Sequence, residues 1–116
     1  MRPHRLGELT GARMLAFAGI AAPAGFETTL GELGVDTAAF VTFADHYWYK
    51  PDDLRRLDER AASLGAAGLV TTEKDWVRLR RLQLPKRPVY VVSVRLELSA
   101  GHATWRAAFE RACPKR

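Results

Sequence analysis

Apolar residues along the chain fall into short blocks with two alternating periods, and the order of those periods predicts the fold. Arg13 to Ala18 is a compact apolar run closed by Gly19, the pattern of a short buried strand. Pro23 suits the first turn of a helix, Phe26, Leu30 and Leu33 follow at helical spacing, and Gly34 stands where a C-terminal cap belongs. Thr37 to Phe43, rich in β-branched and aromatic residues, predicts a second strand ending at Asp45-His46. Pro51 opens a second helix, with Asp52 and Asp53 near the positive end of its dipole, Leu54, Leu57, Ala61 and Leu64 as its buried stripe, and Gly65 as its stop.

Gly68 to Thr71 predicts a third strand, and Thr72 is placed to cap a helix from about Glu73 to Leu82. Pro85 to Pro88 is a turn, and Val89 to Leu96 a fourth strand. His102 to Cys113 reads as a last helix burying Trp105, Ala108, Phe109 and Ala112. The order β-α-β-α-β-α-β-α predicts the α/β class: a small three-layer sandwich with a mostly parallel four-stranded sheet reached by right-handed crossovers.

With 116 residues, 47% of them hydrophobic and 27% charged, one domain over 1–116 is expected, and neither disorder nor a fibrous architecture. The longest apolar runs, such as Leu15 to Phe17, fall far short of the roughly 18 residues that span a bilayer. Met1 to Arg5 is basic with no apolar segment behind it, so no secretory signal is expected. A single cysteine, Cys113, cannot form an internal disulfide, and no Cys/His cluster has metal-site spacing. A cytoplasmic chain without its own metal is the expectation.

The net charge of +5 is unevenly spread: Lys74 to Arg95 holds seven basic residues against Asp75 alone, whereas Phe26 to Asp45 has acidic residues and no Lys or Arg. A solvated face accounts for such asymmetry, and contact with phosphate, nucleic acid or an anionic membrane is the functional alternative. Lys74, Arg78 and Arg81, spaced by four and three, would share one helix face; Arg78 and Arg81 are the candidates for a membrane surface.

Ligands of open parallel sheets bind beyond the carboxyl ends of the strands, so the segments there carry the candidate chemistry. They are Gly19 to Pro23, Asp45 to Tyr49, and Thr71 to Asp75. Asp45 and His46, followed by Tyr47, Trp48 and Tyr49, combine a carboxylate and a titratable imidazole, although the aromatics could equally lid the core. Thr71, Thr72 and Lys74 could converge on an anion at a helix start, or simply cap the helix. No Gly-x-x-x-x-Gly-Lys-Ser/Thr loop, Gly-x-Gly-x-x-Gly fingerprint or Gly-x-Ser-x-Gly elbow occurs anywhere.

Together these segments resemble the C-terminal half of the tetraacyldisaccharide 4'-kinases: Leu15 to Ile20 with Pro23 and Phe26, then Phe43 to His46 with Tyr49, Asp53 and Leu54, then Leu69 to Asp75 with Val77 and Arg78. The resemblance implies an ATP- and magnesium-dependent kinase of lipid A biosynthesis, acting on the 4'-hydroxyl of a tetraacyldisaccharide phosphate at the cytoplasmic face of the bacterial inner membrane. It implies that His46 pairs with an aspartate of an ATP-binding half to activate that hydroxyl, with Asp45 orienting the loop. It makes Thr71, Thr72, Glu73, Lys74 and Asp75 a substrate-side signature. Tyr47 stands where many members carry a second histidine. Without the P-loop, the chain is expected to be inactive alone and to bind neither ATP nor magnesium, the missing half lying elsewhere in the gene or in a separate chain. The partners implied are the lipid A precursor and, weakly, an anionic membrane. A non-catalytic α/β binding module is the alternative, with a basic nucleic-acid-binding domain behind it; nucleic acid is not the expected partner.

Overall fold

The computed structural model describes residues 3–4, 11–99 and 101–111. The elements are β1 (Pro3–His4), β2 (Arg13–Ala18), α1 (Pro23–Glu32), β3 (Asp36–Thr42), α2 (Pro51–Ser63), β4 (Gly68–Thr72), α3 (Glu73–Leu79), β5 (Val89–Ser99) and β6 (His102–Arg111). Among the described residues they form one six-stranded sheet in the order β1-β6-β5-β4-β2-β3. The four strands β3, β2, β4 and β5 are parallel, as the α/β reading requires, and β6 and β1 extend the sheet antiparallel from β5.

Both faces of the parallel part are covered, which is why its strands are nearly continuous apolar runs. Leu15 and Phe17 of β2, Leu69 of β4 and Val89 and Val91 of β5 meet Leu54, Leu57 and Ala61 of α2 and Leu79 of α3. The alternate residues Met14, Ala16, Ala18, Val70 and Val92 pack on Phe26 and Leu30 of α1. Three layers result. From β2 the chain moves outward to β3 through α1, and from β4 it moves the opposite way to β5 through α3. Right-handed crossovers in opposite directions put their helices on opposite faces. The carboxyl ends of β2 and β4 therefore flank the point where the topology reverses, the usual crevice for a ligand.

The helix expected over His102–Cys113 is not formed. Residues His102–Arg111 are a strand, and β5 runs on to Ser99 instead of stopping at Leu96. Ala103, Trp105, Ala107 and Phe109 alternate along the chain, so the segment satisfies the strand period as well as the helical one. The link decides between them: only two residues separate Ser99 from its partner His102, and Gly101 adopts φ 80°, a left-handed conformation that a tight hairpin demands. Cys113 lies outside the described residues. Helix α3 also ends early, at Leu79, its final turn tightening into a bond from the Leu82 N–H to the Leu79 carbonyl. No helix among the described residues is long and apolar enough to cross a membrane.

Candidate functional site

Three loops meet at the carboxyl edge of the parallel strands, and at Gly19 their backbones lie so close that a side chain is excluded. A Cβ on Gly19, just after β2, would stand 2.7 Å from the Ala44 carbonyl, well inside contact distance. The Phe43 N–H bonds the Ala18 carbonyl and the His46 N–H bonds the Gly19 carbonyl, lacing the loop after β3 to the end of β2.

Asp75 ties in the third loop. Its side chain is fully buried in the crevice between β2 and β4, where Oδ1 accepts from the Gly19 N–H and the Tyr49 hydroxyl, both at 2.8 Å, and Oδ2 accepts from the Thr72 hydroxyl at 2.6 Å. Thr72 reciprocates as the N-cap of α3, accepting from the Asp75 N–H. Thr71 is buried too, its hydroxyl donating to the Phe17 carbonyl at 2.8 Å. Burial, and then the bond to Asp75, pushes the Tyr49 hydroxyl far above its ordinary pKa and keeps it a donor. Of the Thr71 to Asp75 segment, Glu73 and Lys74 have exposed side chains.

The aromatic run divides by alternation. Tyr47 and Tyr49 turn inward onto Phe43 and each other, with ring centres 4.9 to 5.2 Å apart. The Tyr47 hydroxyl donates to Asp53 at 2.8 Å, and this bond raises its pKa. Trp48 between them is 59% exposed, with the Arg81 guanidinium 5.3 Å from its ring centre, a cation–π contact. Lidding of the core therefore belongs to two of the three aromatics.

Asp45 and His46 form the exposed tip. The imidazole is 70% exposed, its Nε2 lies 3.5 Å from Asp45 Oδ2, and its Nδ1 lies 2.5 Å from the Arg78 guanidinium. The backbone of His46 is left-handed, φ 62°, and among the described residues it is the single non-glycine position with positive φ. Such strain persists where surrounding structure imposes it, and it is concentrated at functional sites. Here the bonds from His46 and Tyr47 N–H to the Gly19 and Ala44 carbonyls impose it.

Arg78 and Arg81 face this loop instead of standing free on a common helix face. Arg78 reaches His46, while Arg81 donates to the Tyr49 carbonyl at 2.6 Å and to the Arg78 carbonyl. The structure thus gathers Asp45, His46 and Arg78 at the surface, and Thr71, Thr72 and Asp75 in the frame beneath. Sequence reasoning placed Gly19 and Tyr49 in the strand-end segments, but not as hydrogen-bond partners of Asp75.

No group of three or more His, Cys, Asp or Glu side chains among the described residues has the arrangement of a metal site. Thr71 and Asp75 spend their polar atoms on internal hydrogen bonds. Among the described residues, Thr71 and Asp75 are therefore not placed to hold ATP or magnesium.

Residues 1–113 match the family model described as tetraacyldisaccharide-1-P 4'-kinase. Proteins named tetraacyldisaccharide 4'-kinase from Brucella ovis, Brucella canis and Brucella melitensis are 43% identical over 79 residues, which is 68% of this chain and 23% of each relative. The chain thus spans under a quarter of the length of these relatives. No solved structure gives a significant match.

Proposed function

The chain belongs to the tetraacyldisaccharide-1-P 4'-kinase family, and from that premise we propose that it forms the hydroxyl-side half of a lipid A biosynthesis kinase. The reaction is transfer of the ATP γ-phosphate to the 4'-hydroxyl of a tetraacyldisaccharide 1-phosphate. The observation that carries this reading is the exposed imidazole of His46, held on a strained turn at the carboxyl edge between Asp45 and Arg78. His46 assists the hydroxyl as it loses its proton, pairing with a carboxylate from the ATP-binding half. Asp45 orients the loop, and the exposed Glu73 and Lys74 are the substrate-side members of their segment, with Thr71, Thr72 and Asp75 as its framework. ATP and magnesium belong to the other half.

In a complete enzyme His46→Ala lowers kcat by roughly 10²- to 10⁴-fold, the scale of an acid–base partner, with the melting temperature nearly unchanged. An unchanged kcat would favour the non-catalytic binding module.

The lipid substrate requires approach to the cytoplasmic face of the inner membrane, and the pairing of exposed Trp48 with Arg81 beside the site supports docking there. A tryptophan suits the interface and each cation contributes about 1 kcal/mol near an anionic leaflet, so binding is weak and salt-sensitive. Co-sedimentation of this chain with anionic vesicles checks it; equal retention of wild type and Trp48→Ser would remove Trp48 from the contact.

A further inference from the structure

We propose that Arg78 is the positioning residue of the histidine: it fixes the ring in the tautomer whose proton is on Nε2, so that His46 offers an N–H donor to its reaction partner. A guanidinium has donors and no acceptor, hence Nδ1, 2.5 Å from Arg78, accepts. A neutral imidazole that accepts at Nδ1 carries its proton on Nε2. Protonating Nδ1 as well would break the bond to Arg78.

The Nε2–H is left available. Asp45 Oδ2, at 3.5 Å, is too distant for a good hydrogen bond. Asp45 on the same loop and Arg78 on α3 are the charged groups in contact with the ring among the described residues. Arg78 is itself braced: its other terminal nitrogen donates to the Lys74 carbonyl at 3.3 Å, and its own carbonyl accepts from Arg81, which also holds the Tyr49 carbonyl. The ring is fixed through Nδ1 by α3 and through its backbone by the end of β2, leaving one nitrogen free to point at an acceptor. A carboxylate or hydroxyl oxygen is the chemistry that this N–H would hold, and the ring orients that oxygen rather than taking a proton from it.

The proposal rests on the reading of His46 as the group that assists the substrate hydroxyl, but its main test does not. In the 15N-labelled chain, long-range 1H–15N correlations of the His46 ring, identified by their loss in His46→Ala, report the tautomer at a pH where the ring is neutral. The expected result is a dominant Nε2–H form with Nδ1 displaced toward a hydrogen-bonded acceptor. Arg78→Met should release Nδ1 and admit the other tautomer, and Arg78→Lys, which still donates, should preserve the wild-type pattern. A dominant Nδ1–H form in the wild type overturns the proposal whether or not the Met variant folds, as does an Arg78→Met spectrum identical to wild type. In the complete enzyme, Arg78→Met should lower kcat about tenfold or more with KM little changed, and Arg78→Lys should recover part of it. A His46→Ala enzyme with full activity would remove the kinase role and leave the tautomer result standing, so the two failures are separable.

Discussion

Two acidic residues at the same edge of the sheet have opposite fates. Asp75 is fully buried, with three donors on its two oxygens; Asp45 lies exposed beside a histidine on a strained turn. The crevice where the topology reverses, which in open α/β sheets usually receives a ligand, is filled from within by Asp75 and Tyr49. A fully buried carboxylate that already accepts three internal hydrogen bonds is closed off from a ligand, whereas the Asp45 and His46 side chains above it are exposed. The Thr71 to Asp75 segment is therefore mostly internal framework, whereas Asp45 and His46 are the exposed pair, although both segments follow parallel strands.

The largest test of this division removes the frame. Asp75→Ala leaves the Gly19 N–H and the Tyr49 and Thr72 hydroxyls without their acceptor; Thr72 is half-buried, so at roughly 1–3 kcal/mol for each of the two fully buried orphans a loss of about 2–6 kcal/mol is expected. Chemical denaturation of this chain measures it. His46→Ala, by contrast, should stay within about 0.5 kcal/mol of wild type, as surface changes do. Equal losses in the two variants would break the comparison.

Tyr49→Phe is gentler, costing about 1 kcal/mol, since the ring remains packed on Phe17 and Phe43 and only the hydroxyl donor is lost. It also carries a pH signature. The folded pKa of Tyr49 is raised, by burial first and by Asp75 second, so the stability tied to its proton is intact below about pH 10, where the unfolded chain also keeps that proton, and is lost as pH rises further. The variant should lose less stability than wild type across that alkaline range, measured by urea titration at several pH values. Parallel slopes would mean that the hydroxyl is not held as a donor.

Much of this arrangement was legible from residue order. The periods placed β2, β3, β4 and the three helices, because the strands are short apolar runs and the helices carry one buried stripe, with Pro, Gly or Thr at their ends. Asp45 and His46 stood out by composition. What failed did so for identifiable reasons. His102 to Arg111 fits both periods, and only the two-residue link ending in Gly101 separates hairpin from helix. Arg78 and Arg81 were assigned by helical spacing to an outward stripe, but spacing is blind to a loop from another strand, and it is the β3 loop that meets them. The depth of Asp75 was hidden for the same reason: its partners Gly19 and Tyr49 are 56 and 26 residues away in the chain.

The smallest effect probes the tip itself. His46 holds φ 62°, where an L-residue pays roughly 1–2 kcal/mol relative to the right-handed region and glycine pays almost nothing. Glycine also loses more freedom on folding, which favours alanine by about 0.4–1 kcal/mol wherever the native backbone suits both. The two effects oppose each other, and at a left-handed turn the first is larger. His46→Gly should therefore be more stable than His46→Ala by about 0.5–1 kcal/mol, while both lack the imidazole and share the same loss of kcat in a complete enzyme. Paired urea titrations of the two variants resolve a difference of that size if the unfolding slopes match. Alanine ahead of glycine would mean that the turn relaxes in solution to a right-handed conformation, that the lacing to Gly19 and Ala44 does not impose the strain, and that His46 owes its direction to Arg78 alone.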